Sequence, residues 1–344
     1  VYGILKASEW GWLRDSNSPF TVFGLALTPF VIGAGLVILG LFLRWTERRV
    51  EHGKDPLFRL GLFDIKPFKV GLEMFLGQNI LLMGVFFSLP LYLQVVLGLD
   101  ALETGVRMLP VSVAMFIFSF AGARMSQRWT PRTIVRAGLW VLLGSVVLLM
   151  ATIEPQLEGL AFGLAMSLLG VGMGLLASQL GNLVQSSVGQ ADRSEAGGLQ
   201  YTAQQLGSSI GTAFIGAIVI SSLTSVFLNQ VAEDPDISDK VEDSLTVELN
   251  GSIEFVPASE LGAALADSGL DDDEAEAIVE AYEDGQLIAI KIGLLVGGLI
   301  VVAMLFVARR IPSQSFEEIA AEAAASSGDP PTSEIEAGRD SQQN

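Results

Sequence analysis

Gln179, Asn182 and Ser186 fall at i, i+3 and i+7, and Gln200, Gln204 and Ser208 at i, i+4 and i+8. Read as helix, each set forms one polar stripe on an otherwise apolar rod. Amides and hydroxyls of this kind can hold a passing solute by hydrogen bonds, or can bond helix to helix. Both readings stand on the sequence alone. Glu73 is the carboxylate best placed within an apolar stretch, with Gly77 and Gly84 on its face. Desolvation favours the protonated form of such a group, which suits a proton carrier. The other reading is an interfacial glutamate in contact with headgroups or with Lys69. Gln78 and Asn79 lie on other faces. No catalytic residue and no metal ligand set is expected. Cysteine is absent and His52 is the single histidine, so thiolate chemistry, hydrolase triads and histidine metal sites are nearly excluded.

The elements that must carry these residues are long apolar helices. Half of the 344 residues are hydrophobic and 17% are charged, which leaves too little polar surface for a soluble domain of this length. A bilayer core needs about 20 apolar residues in a helix. Seven stretches qualify: 20–43, 70–97, 104–123, 134–153, 159–184, 201–228 and 287–308. The expected fold is an all-α polytopic membrane protein with seven transmembrane helices. Small-xxx-small pairs, Gly170 with Gly174 and Gly207 with Gly211, indicate close helix packing.

Charge sets the expected orientation. Arg44, Arg48, Arg49, Lys54, Arg59, Lys66 and Lys69 follow the first span. Arg124, Arg128, Arg132 and Arg136 lie around the turn after the third, and Arg309 and Arg310 follow the last. All fall on one side if the spans alternate, and that side is expected to be cytoplasmic. "LPLYLQVVLGLDALETGVRMLP" then becomes two spans joined by an outer polar turn at Asp100 and Glu103. Arg107 begins the returning helix about one turn inside the outer surface, where it can snorkel outward or pair with Glu103. The stretch 229–285 is strongly acidic and reads as an extracytoplasmic loop carrying a small helical hairpin. The acidic tail 309–344 is expected to hold one short helix near "FEEIAAEAAA" and otherwise to be disordered and cytoplasmic.

From Leu89 onward the chain resembles the C-terminal half of a major facilitator superfamily transporter, of the 14-helix drug:proton antiporter (EmrB/QacA-type) branch. The stretches that carry this are "LPLYLQVVLGLDALETGVRMLP", "ARMSQRWTPRTIVRAGL", "GVGMGLLASQLGNLVQSSV" and "EAGGLQYTAQQLGSSIGTAFIGAIV". "WGW", a span and then "PLFRLGLF" are similar to that branch's extra helix and linker. The resemblance covers about residues 9–312. It implies the end of a preceding helix and an outer loop at 1–19, an extra helix at 20–43 and a basic linker at 44–69. The C-terminal six-helix bundle then occupies 70–308, and the parent's first seven helices lie outside this sequence. The superfamily's basic turn has an acid and two glycines where this chain has Gln127, Ala123 and Thr130; Arg128 and Arg132 are kept. The turn at Arg124, Arg128 and Arg132 is therefore read as a topogenic and packing element.

The implied activity is proton-coupled export of drugs or other amphipathic small molecules by alternating access, not enzymatic catalysis. The implied setting is the cell's inner membrane. The expected partners are the lipid bilayer, a small amphipathic substrate, protons and the missing N-terminal bundle. No cofactor and no nucleic acid is expected. A transporter of a defined polar solute, or a non-transporting membrane scaffold whose acidic loop binds a partner, remains the alternative.

Overall fold

The computed structural model describes residue 3 and residues 26–51, 59–155, 157, 159–234, 237, 255–266 and 271–327. The readings of 1–19, of the first span's start at Phe20, of His52, of most of the acidic loop before Phe255, and of the tail after Ser327 fall outside these.

Seven of the described helices are long and apolar enough to cross a membrane. They are α1 (Thr28–Glu51), α2 (Lys66–Pro90), α3 (Ala101–Met125), α4 (Pro131–Thr152), α5 (Gly159–Ser186), α6 (Arg193–Glu233) and the long α8. A short α7 (Ala258–Ala266) precedes α8 (Asp272–Val307), and α9 (Phe316–Ser327) closes the described chain. The chain is thus a multi-pass all-helical membrane protein. No strand occurs among the described residues.

Helix ends follow local chemistry. α2 and α4 each begin with proline in the first turn, where its missing N–H costs nothing. Asp100 caps α3: its carboxylate accepts from Glu103 N at 2.7 Å, and Glu103 Oε2 accepts from Asp100 N at 3.3 Å. This reciprocal box starts α3 three residues before the expected boundary at Thr104. Of the two readings of Arg107, the pair with Glu103 does not form, because the Glu103 carboxylate turns back to the cap. α2 does not stop at Pro90 but continues as a π-helical turn, Leu91–Val96. The chain then reverses at Gly98, whose φ of 67° suits a residue without Cβ. The π turn is pinned by the fully buried Tyr92, whose hydroxyl donates to Glu154 O at 2.7 Å in the α4–α5 connection.

The bundle packs in two interlocked pairs, α3 on α5 and α2 on α6, joined by α4 and α8. The expected glycine pairs sit in these seams. A Cβ on Gly207 would lie 2.5 Å from Leu76 O, and one on Gly211 would lie 2.5 Å from Ile80 O. A Cβ on Gly174 would lie 2.6 Å from Met115 O, and one on Gly170 would overlap Val111 O. Only glycine lets the backbones approach so closely. Most described side chains of α1 are exposed or half-buried, and only Thr28 and Thr46 are fully buried.

α6 and α8 are much longer than a bilayer needs, about 60 and 54 Å at 1.5 Å per residue. Both project past the bundle at its acidic end. There Phe227 and Tyr282 meet edge to face with centroids 5.7 Å apart. The expected outer hairpin is therefore α7 plus the first turns of α8, with no break before the last span. Tyr282 holds the approach to α7: its hydroxyl donates to Val256 O at 3.2 Å and accepts from Val256 N at 3.1 Å. Gln286 Nε2 adds a bond to Val256 O at 2.7 Å.

Candidate functional site

The two polar stripes are both helical and both near the basic end, but the structure does not merge them into one site. The α5 stripe divides. Gln179 is fully buried, and its Nε2 donates to Gly122 O on α3 at 2.9 Å and to Ser178 Oγ at 3.0 Å. Its amide is engaged between helices. Asn182 is exposed, and Ser186 Oγ donates to the Asn182 carbonyl at 2.7 Å. Asn182, Gln185 and Ser186 line a recess of about 470 Å³ with Arg193 at the start of α6 and Phe316, Glu317 and Ala320 on α9.

The α6 stripe runs along the α2–α6 seam. Gln200, Gln204 and Ser208 are all half-buried. Ser208 Oγ donates to Asn79 Oδ1 at 3.4 Å, and Asn79 Nδ2 donates to Phe75 O at 2.9 Å. Gly207 beside them brings α2 close enough for that bridge. Asn79 thus joins the polar seam, although the sequence reading set it apart from Glu73. The signal was an amide within an apolar helix, which only the pairing of α2 with α6 gives meaning. Gln185 and Arg193 were missed too, because their role depends on where α9 lies.

α9 is amphipathic and docked. Ser315 Oγ accepts from Glu318 N at 3.2 Å while Glu318 Oε2 accepts from Ser315 N at 2.8 Å, a second capping box. Ile319 and Ala323 are buried and Phe316 packs against the core, at i, i+3 and i+7. A further latch lies nearby. Arg59 Nη1 contacts Asp192 Oδ1 at 2.7 Å, and the Arg59 N–H donates to Glu195. This ties the linker after α1 to the α5–α6 connection.

Glu73 lies on α2 near the basic end, with 34% of its side chain exposed. It faces α8, with Arg310 Nη1 at 3.8 Å, so the cation beside it is Arg310 and not the expected Lys69. The basic turn carries Arg124 and Arg128 exposed and Arg132 half-buried. Arg107 reaches to Gly159 at the start of α5. Among the described residues, no group of three histidine, aspartate or glutamate side chains converges as a metal site. What the bundle offers chemically is amide and hydroxyl groups on partly open seams, in apolar walls, with the Glu73–Arg310 pair at the edge.

These features can be set beside known proteins. The family model described as Major Facilitator Superfamily matches residues 11–212. The tetracenomycin C resistance and export protein of Streptomyces glaucescens is 28% identical over 233 residues, 68% of this chain and 40% of that protein. The multidrug efflux pump LfrA of Mycolicibacterium smegmatis is 30% identical over 54% of this chain and 36% of its own length. A multidrug resistance protein B homolog of Mycobacterium tuberculosis is 30% identical over 64% of this chain and 38% of its own. The chain thus spans about two fifths of the length of these relatives. With the family model matching more than half of its residues over the packed helices just described, the chain belongs to the Major Facilitator Superfamily.

Proposed function

We propose that this chain is the C-terminal six-helix bundle, with one extra preceding helix, of a 14-helix exporter that exchanges amphipathic drug-like molecules for protons. The reading is carried by the relatives: all three are named for resistance or efflux. The geometry supports it. A poorly specific site for oily molecules needs apolar walls with few polar groups, and Asn79, Gln204, Ser208 and Asn182 are such groups on open or half-open faces. In this reading Asn182, Ser186, Gln200, Gln204 and Ser208 border the pathway near its inner end. Gln179 fixes the wall behind them.

The basic end faces the cytoplasm of the inner membrane and α7 faces outward. Proton coupling on this bundle falls to Glu73. Protonation of its carboxylate would release Arg310 and deprotonation would recapture it, a local change at the end of α8. Alternating access then needs the other bundle to rock against this one around a shared site. The test is drug-dependent proton movement in proteoliposomes holding this chain fused to its N-terminal bundle. Transport that ignores a pH gradient would rule out the proton-coupled reading.

A further inference from the structure

The turn between α3 and α4 holds charge that nothing in the described fold neutralises. Residues 104–153, which cover both helices nearly end to end, contain no aspartate or glutamate. Arg124, Arg128, Arg132 and Arg136 all fall within them. The ion pairs of Arg59 with Asp192 and of Arg310 with Glu73 involve none of these four.

Arg124 and Arg128 lie one turn apart and line a recess of about 440 Å³ with Ala121, Met125, Gln127 and Trp129. α4 begins just beyond, at Pro131, and its positive end is not capped by a side chain. The Thr130 hydroxyl instead pairs with the Thr133 hydroxyl at 3.0 Å. The positive end of the helix dipole adds to the guanidinium field there.

The surface leading into this recess is apolar. Val113, Phe116, Ile117 and Phe120 follow i, i+3, i+4 and i+7, and continue at i+11 to Arg124 on the same face of α3. Their exposures are 47, 67, 53 and 67%, and Phe116 and Phe120 meet edge to face. Trp129, 55% exposed, sits at the charged end, as indoles do at headgroup depth. A basic recess at the end of an open apolar ladder on a spanning helix has the shape of a headgroup site with a track for its chain.

We propose that this turn binds the phosphate of an anionic phospholipid, whose acyl chain lies along Val113–Phe120. A free phosphate would use the arginines and ignore the ladder. A zwitterionic lipid would use the ladder but place a cation among the arginines. An anionic lipid satisfies both.

The experiment uses the full 344-residue chain in detergent and native mass spectrometry, titrated with phosphatidylglycerol or phosphatidylcholine of matched chains. Phosphatidylglycerol is expected to bind in preference. In Arg124→Gln/Arg128→Gln its affinity should fall about thirtyfold, two headgroup–arginine attractions converted to a ratio. Phe116→Ser/Phe120→Ser should also weaken it, while millimolar inorganic phosphate should not displace it. Circular dichroism confirms that each variant is folded. Lys66→Gln/Lys69→Gln, at the same end but on α2, should bind like the parent chain. Equal binding of the two lipids would overturn the proposal, as would an equal loss in the Lys66/Lys69 variant. Displacement by inorganic phosphate with no effect of the phenylalanine changes would show a free-anion site instead.

Discussion

Gln179 on α5 reaches across to α3 and donates to the carbonyl of Gly122 at 2.9 Å, from a position with no solvent exposure. The same carbonyl accepts from Ser126 N at 3.2 Å within α3. Gly122 allows this because a Cβ there would collide with Ser178. One amide thus records how closely α3 and α5 approach, and why a residue that reads as pathway is packed between helices.

Gln179→Leu should therefore act on stability. The expected loss is about 0.6 kcal/mol, the average for such bonds between membrane helices. The Gly122 carbonyl keeps its bond within the helix, and the Gln179 Oε1 has no partner to lose. Thermal unfolding in detergent measures this. Asn182→Leu, at an exposed position, should leave the unfolding midpoint unchanged and alter substrate range in the full-length parent, normalised to folded protein. The opposite pattern would exchange the two roles.

The glycine seams give a sharper contrast. Gly211→Val should destabilise by about 1–3 kcal/mol, because the added carbons meet the Ile80 carbonyl and neighbouring backbone that cannot step aside. Gly144 lies mid-helix on α4 with open space around it. Gly144→Ala should leave stability unchanged or raise it by up to about 1 kcal/mol. Unfolding midpoints of the two variants, side by side, check the assignment of the α2–α6 seam.

Tyr282→Phe removes both bonds to Val256 and keeps the ring against Phe227. Amide exchange over residues 255–266 should accelerate while exchange in α6 stays slow. The expected cost is about 1 kcal/mol, typical of a hydrogen bond of this kind. Unchanged exchange at 255–266 would mean that Gln286 alone holds the segment.

Glu73→Gln tests the pair with Arg310. At 3.8 Å and with both side chains partly exposed, the pair should contribute under about 1 kcal/mol. Folding should thus survive the change, while drug export by the parent should lose its dependence on a pH gradient. Export that still follows the gradient would leave Glu73 as an anchor for the end of α8.

Much of this was legible in the sequence because membrane helices are written in length and hydrophobicity. All seven expected spans overlap helices in the structure, and both small-residue pairs pack as expected. Boundaries slipped where chemistry at the ends was overlooked. The Asp100-x-x-Glu103 box, visible in the sequence, moves the start of α3. α6 and α8 outrun their apolar cores because polar residues beyond the bilayer still favour helix. The polar groups were legible as stripes but not as neighbours. A stripe at i, i+3, i+7 spans tens of degrees around the helix, enough to bury Gln179 against α3 and leave Asn182 open. Asn79 gained a partner only when Ser208 was brought across the seam, and the place of Gln185 depended on where α9 docks.

The most direct test of the account compares two preparations in proteoliposomes under an imposed pH gradient. One holds this chain alone, and the other holds it joined to the N-terminal bundle encoded upstream in the proposed parent. Efflux of an amphipathic cationic dye is followed by fluorescence. Gradient-dependent efflux is expected from the joined protein, and none above the protein-free background from the chain alone. Equal, gradient-driven efflux by the chain alone would contradict the reading of this molecule as one half of an exporter.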